Sequence, residues 1–317
     1  MTNRRQFLLT TAASAGALCC DSILHRPLAA AQQSSGELPV RFALNTSTIS
    51  GQKLPIEEQV RVAAEAGYGG IEPWIRDIQS FVSNGGKLSD LRKQIEDSGL
   101  FVASAIGFAN WISDDDSTRH KGLETAKHDM ELVSGLGGKL IAAPPIGAHG
   151  RNDQSPPLPV IAERYRAICE LGQQMGVAPQ LELWGFSPTL SKLGELAYVA
   201  TEAAHPMACV LPDFYHIYKG GSDFTGLSMI EASMMHCFHI NDYPASPERG
   251  EIADKHRVFP GDGICPLPEI IGNLIDHGFK GTFSLELFNQ EYWNRDALEV
   301  AKEGLQKSRA VVAQAIA

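Results

Sequence analysis

KLIAAPPIGAHGRNDQSPPLPVIAERYRAICELGQQMGVAPQLELWGF, residues 139–186, reads as one complete strand–helix–strand unit. KLIAAPPI (139–146) is a short apolar run closed by proline, the pattern of a buried strand in a parallel sheet. A polar loop (147–157) follows. VIAERYRAICELGQQMG (160–176) then carries apolar residues at helical spacing and ends in Gly176, the residue best suited to a left-handed C-cap. PQLELWGF (179–186) opens the next strand.

The same alternation continues outward in both directions. Further strands are expected at VRFALNTS (40–47), GGIEPW (69–74), LFVASAIGF (100–108), ACVLPDF (208–214), MHCFHIND (235–242) and GTFSLELF (281–288). Helices are expected at 56–67, 88–99, 117–137, 190–204, 225–234, 266–278 and 296–314. Units of roughly 35 residues suit a right-handed βα repeat. The expected fold is an α/β (β/α)8 TIM barrel, a single domain over 32–317. An open doubly wound sheet would carry a glycine-rich phosphate loop after its first strand, and FALNTSTISG (42–51) holds no GxGxxG.

Residues 1–31 read as a twin-arginine signal peptide. Arg4-Arg5 precede Phe7-Leu8-Leu9, and a mild apolar stretch leads to Ala29-Ala30-Ala31. The expected localisation is therefore periplasmic, or otherwise exported by the twin-arginine route. The rest of the chain carries Cys169, Cys209, Cys237 and Cys265 without CxxC spacing, which argues against a zinc knuckle or redox pair. A net charge of −10 over 317 residues disfavours a nucleic-acid partner. No apolar run reaches the roughly 18 residues of a membrane span, so no stable membrane insertion is expected. A homo-oligomer is left open.

Polar residues at the C-terminal ends of barrel strands carry the functional reading. Glu182, Asp213, His239 and Glu286 fall at the ends of the last four expected strands, each among apolar neighbours. Carboxylates so placed are costly to bury alone, and a divalent cation compensates several at once. Three oxygen donors with one nitrogen suit Mn²⁺ best, with Mg²⁺, Co²⁺ or Zn²⁺ as alternatives. Glu72 closes the second strand, as a substrate contact or as part of a structural ion pair. Trp111 and Trp184 are read as a sugar-stacking wall, against the alternative of ordinary core. His149 and Lys219 are weaker mouth candidates, Asp242 is expected to support His239, and DDD (114–116) to cap a helix.

LELWGF, LPDFYHIYKGG, HIND, RVFPGDG and SLELF together resemble the xylose-isomerase-like TIM-barrel superfamily, close to ketose 3-epimerases, hydroxypyruvate isomerases and inosose dehydratases. The resemblance implies a Glu-Asp-His-Glu metal site at Glu182, Asp213, His239 and Glu286. It also implies substrate contacts at His216, three residues after Asp213, and at Arg257, ahead of the PGDG turn. Glu182 and Glu286 then serve as catalytic base and acid, taking and returning a proton next to a carbonyl. The expected function is a divalent-metal-dependent sugar isomerase or epimerase acting on a small carbohydrate. The alternatives are a lyase or dehydratase on a keto-polyol or oxidised glycoside, and a non-catalytic sugar-binding barrel. For a phosphate, only Arg257 and the GDG turn stand out, which favours a non-phosphorylated sugar.

Overall fold

The computed structural model describes residues 38–317, so the signal-peptide reading of residues 1–31 lies outside the described residues. The strands are β1 (Arg41–Asn45), β2 (Gly70–Glu72), β3 (Phe101–Val102), β4 (Leu140–Ala143), β5 (Ala178–Glu182), β6 (Cys209–Leu211), β7 (Cys237–Ile240) and β8 (Thr282–Leu285). β3-β2-β1-β8-β7 form one parallel ladder and β4-β5-β6 another. The Ala142 amide donates to Ala105 O at 2.8 Å, and bridges pair Val210 with Met235 and Asp213 with His239. These links join the two ladders into the ring of a TIM barrel.

Around the ring lie α1 (Ile56–Ala66), α2 (Ile75–Ser83), α3 (Leu88–Asp97), α4 (Asp116–Gly135), α5 (Leu158–Met175), α6 (Leu193–Glu202), α7 (Phe214–Gly220), α8 (Leu267–Asp276), α9 (Gln290–Trp293) and α10 (Ala297–Ala315). α5 stops where Gly176 takes φ 68°, a left-handed conformation that costs a residue with a Cβ. Asp115 caps α4, accepting the Thr118 amide at 2.7 Å, as the DDD run suggested. Leu44, Ile71, Leu181, Phe238 and Phe283 belong to one continuous buried cluster beneath the mouth. Cys209 and Cys237 are buried free thiols that pack as small hydrophobes.

Several elements differ from expectation. β3 pairs only over Phe101–Val102, because the neighbouring chain reaches Pro73, which has no N–H to continue the ladder. Ile106 still donates to Pro73 O at 3.0 Å and accepts from the Ile75 amide at 3.0 Å, which holds the extended segment beside β2. Where a helix was expected over 225–234, two 3₁₀ turns form, Phe224–Met229 and Ala232–Met234. The Asp223 side chain captures both the amide and hydroxyl of Thr225, which tightens the first turn. α2 and α7 were not expected as separate helices, although Ile75, Ile78 and Val82 have helical spacing.

Asp129 in α4 is buried away from the mouth, with only the Gln79 amide donating to it, at 3.3 Å. Burial pushes its carboxyl from 3.8 up to about 6. Between those values the folded chain holds a proton that the unfolded chain has released. Stability at this residue therefore falls as pH rises from about 4 to 6 and levels off above. Asp129→Asn is expected to match wild type near pH 4 and to exceed it by up to about 3 kcal/mol at pH 8, seen as a melting temperature several degrees higher.

Candidate metal centre

Glu182 is the last residue of β5, Asp213 follows β6, His239 lies in β7 and Glu286 follows β8. Four successive strands thus deliver their side chains to one point. All four are buried, Asp213 and His239 completely. Glu182, His239 and Glu286 each offer a ligand atom within 4.8 Å of the others. His239 Nδ1 stands 3.1 Å from Glu286 Oε2, 3.6 Å from Asp213 Oδ2 and 3.9 Å from Glu182 Oε1.

The other face of the imidazole explains its orientation. Nε2 meets Glu72 Oε2 at 3.1 Å, and that carboxylate also accepts from Ser284 Oγ at 2.6 Å and Asn45 Nδ2 at 2.9 Å. Burial by itself raises the Glu72 carboxyl, yet His239 and these donors bring it below the usual range, so it is ionised. Nε2–H must then donate to Glu72, and a neutral ring turns the lone pair of Nδ1 toward three carboxylates. Nδ1 is buried and has no hydrogen-bond partner. A lone pair and three carboxylates facing one dry space repel unless positive charge occupies it. Burial opposes charge on the imidazole, but Glu286 and Glu72 carry its pKa well above the ordinary histidine range, so in the metal-free chain a proton on Nδ1 supplies the positive charge and a bound cation would displace it. Glu182 answers the same crowding: burial first, then Glu286 and Asp213, raise its carboxyl to about 8. The donor set fits a divalent cation.

Arg257 supplies the remaining positive charge. It is buried, and its Nη1 donates to Asp213 Oδ2 and to Glu286 Oε2, each at 2.8 Å. Nη2 meets His216 Nε2 at 2.9 Å and Asp254 Oδ1 at 2.6 Å. His216 follows Asp213 by three residues because Asp213 is the N-cap of α7 and accepts the His216 amide at 2.8 Å. Burial and the adjacent guanidinium both lower the His216 pKa, leaving a neutral acceptor for Arg257.

The rim of the mouth is aromatic. Trp184 lies 6.3 Å from Phe108 and 5.2 Å from Phe186 between ring centroids, with His149 edge-on at 5.4 Å. Trp74 continues the wall, 5.1 Å from Phe108 and 6.1 Å from Phe288. Trp184 therefore lies on this rim. The expectation for Trp111 is corrected: it is 1% exposed, packs on Tyr165 and donates Nε1–H to Pro144 O at 2.7 Å. An indole so satisfied is core, and Phe108 and Trp74 take the wall position instead. Asp242 is also corrected. It accepts the amides of Tyr243, Gly261, Gly263 and Cys265 and pins the PGDG turn. The support of His239 expected from Asp242 comes from Glu72, while Asn241 holds Asp213, donating to its Oδ2 at 3.0 Å and accepting the Tyr215 amide at 2.9 Å. Strand alternation carries this signal, since 239 and 241 share a face and 242 does not.

A family model described as xylose isomerase-like TIM barrel matches residues 60–311. The chain is similar to the inosose isomerase of Bacillus velezensis, 26% identical over 189 residues that cover 59% of this chain and 67% of the relative. Matches to three further inosose isomerases span 52% to 72% of those proteins. Fructoselysine 3-epimerase of Escherichia coli O157:H7 is 24% identical over 84% of this chain and 96% of its own length. A 3-dehydroshikimate dehydratase of Pseudomonas putida is 20% identical over 83% of this chain and 40% of its own. Among solved structures, the IOLI protein with a zinc atom superposes with a TM-score of 0.80 at 20% identity, over 87% of this chain and 99% of that one.

Proposed function

The chain belongs to the xylose isomerase-like TIM barrel family, and from that membership we propose that it is a divalent-metal-dependent sugar isomerase or epimerase that moves a proton on the carbon next to a carbonyl. The observation that carries the reading is the buried, unpartnered Nδ1 of His239 facing Glu182, Asp213 and Glu286. Those four side chains would hold the cation. Their hard donor set favours Mn²⁺, while the zinc atom of the IOLI protein supports Zn²⁺ as the alternative. When bound, such an ion supplies Lewis-acid stabilisation of negative charge developing beside the carbonyl.

The chain's own groups divide the remaining work. Glu286 is gripped on both oxygens, by Asn45 Nδ2 at 3.1 Å and by Arg257 at 2.8 Å, so its position is fixed. Glu182 has no such clamp and is the carboxylate free to follow a proton. We assign it the abstraction and Glu286 the return from the opposite side. Trp184, Phe108 and Trp74 face the apolar side of a sugar and keep water from the exchanging proton. His216 and Asp254 hold Arg257, which in turn holds Glu286. The names inosose isomerase and fructoselysine 3-epimerase support this reaction class.

The dehydratase relative favours a second reading, β-elimination after the same proton abstraction. His149, with a buried unpartnered Nδ1 beside Trp184, is the group placed to protonate a leaving oxygen. One experiment addresses both readings: the full chain loaded with Mn²⁺ or Zn²⁺ is incubated in deuterated water with a panel of ketoses and keto-polyols. Deuterium at the α-carbon with the carbon skeleton and all oxygens retained supports isomerisation or epimerisation. Loss of a hydroxyl group supports the dehydratase reading, and no exchange with any compound removes both. Within the same frame, Glu72→Gln is expected to weaken Mn²⁺ binding about 10–100-fold by loosening His239, as read by titration calorimetry.

A further inference from the structure

Beside the mouth lies a cavity of about 290 Å³ walled by Gly185, Phe186, Gly250 and three cations, Arg151, Lys219 and Arg249. No carboxylate lines it. A fourth cation stands close by. The Arg249 guanidinium and Lys192 Nζ each come within 3.4 Å of the point over Gly221 where a Cβ would stand, so two like charges share one small region. Among the described residues, none of the four takes part in an ion pair. Such a concentration of unpaired positive charge is unexpected on a chain of net charge −10.

Two members of the cluster are anchored. Lys219 Nζ donates to the carbonyl oxygens of Arg249 at 3.1 Å and Gly250 at 2.8 Å, leaving its third N–H uncommitted. Lys192 Nζ is held by Gly220 O. The cavity also adjoins the candidate centre. The Phe186 ring lies 5.2 Å from Trp184 and 5.8 Å from His216, the residue seated on Arg257. Gly185 permits this proximity, since a Cβ there would meet His216 O at 2.3 Å and Gly220 N at 2.4 Å.

We propose that this cavity binds a terminal anionic group, a carboxylate or a phosphate, of the substrate whose carbonyl end lies between Glu182 and Glu286. The proposal rests on the reading of the mouth as a sugar site and narrows its substrate to acidic or phosphorylated sugars. The expectation of a non-phosphorylated substrate counted cations near the last strands. Here they come instead from the loops after β4 and β7 and from α7, and converge only in the folded chain. An apolar wall at Trp184 and Phe186 between two polar ends suits a molecule with a sugar-like body and a charged tail.

The test compares binding of D-glucose, D-glucuronate and D-glucose 6-phosphate to the Mn²⁺-loaded full chain by titration calorimetry at low salt. At least one anionic sugar is expected to bind about tenfold tighter than glucose, glucuronate or the phosphate ester according to which group the cavity takes. Arg151→Ala/Arg249→Ala is expected to remove that preference while leaving glucose affinity and melting temperature unchanged. Lys219→Met, which keeps the aliphatic stem, should reduce it partly. Equal affinity for charged and neutral sugars in wild type, or an undiminished preference in the double variant, overturns the proposal. Proton exchange on neutral ketoses without any charge preference overturns the cavity alone, whereas absence of both exchange and sugar binding overturns the reading of the mouth as well.

Discussion

Glu182→Gln is expected to slow exchange of a substrate's α-proton with solvent by about 10²–10⁴-fold. The amide keeps the size and one oxygen of the carboxylate but cannot accept a proton at neutral pH. Glu182 is 4% exposed at the end of β5, and burial together with Glu286 and Asp213 already disfavours its charge. With its carboxyl raised to about 8, Glu182 is largely protonated at neutral pH in the metal-free chain, and the amide mimics that neutral form, so the variant's melting temperature without metal is expected to match that of wild type. Loss of exchange with stability retained separates a chemical role from a structural one. An exchange rate within threefold of wild type would take Glu182 out of the proton transfer.

Arg257→Leu has the opposite signature. The guanidinium is sandwiched 4.4 Å over the Tyr215 ring and 5.1 Å from that of Phe288, and it faces Asp213, Asp254 and Glu286. Deleting one partner of a buried charge network leaves the others uncompensated, at about 3–5 kcal/mol. For a domain of this size that corresponds to a melting temperature lower by about 10 °C, measured calorimetrically on the metal-free chain. Arg257→Lys keeps a charge without the fork that meets two carboxylates and His216 together, and is expected to fall between the two. A melting temperature for Arg257→Leu within 2 °C of wild type would show that Asp213 and Glu286 are compensated from elsewhere.

Legibility in the sequence followed the range of the interactions. Short apolar runs ending in a polar residue marked β5 to β8, and the same runs put Glu182, Asp213, His239 and Glu286 at their ends. Glycine and aspartate at helix ends, Gly176 and Asp115 among them, were local signals and were read correctly. Glu72 was found, but its partner was not: the contact with His239 crosses the barrel between residues 167 apart in the chain. Trp111 and Asp242 failed for a shared reason. Asp242 follows Asn241, which reaches Asp213, and Trp111 lies three residues beyond Phe108, which reaches the rim, but the direction of a side chain in a loop or at a strand end depends on what it packs against. Trp111 is drawn inward by Tyr165 and Pro144, and Asp242 by four amides of a turn. The aromatic rim and the cationic cavity gather residues from several loops, and no periodicity records such meetings.

Direct metal analysis of the full chain, dialysed against Mn²⁺ or Zn²⁺ and then against metal-free buffer, tests the centre with the fewest assumptions. One equivalent of divalent ion per chain is expected in wild type and its loss in Glu286→Gln, with the melting transition of the metal-free variant preserved. Wild type without bound metal, or a variant that keeps a full equivalent, would contradict a cation held by Glu182, Asp213, His239 and Glu286.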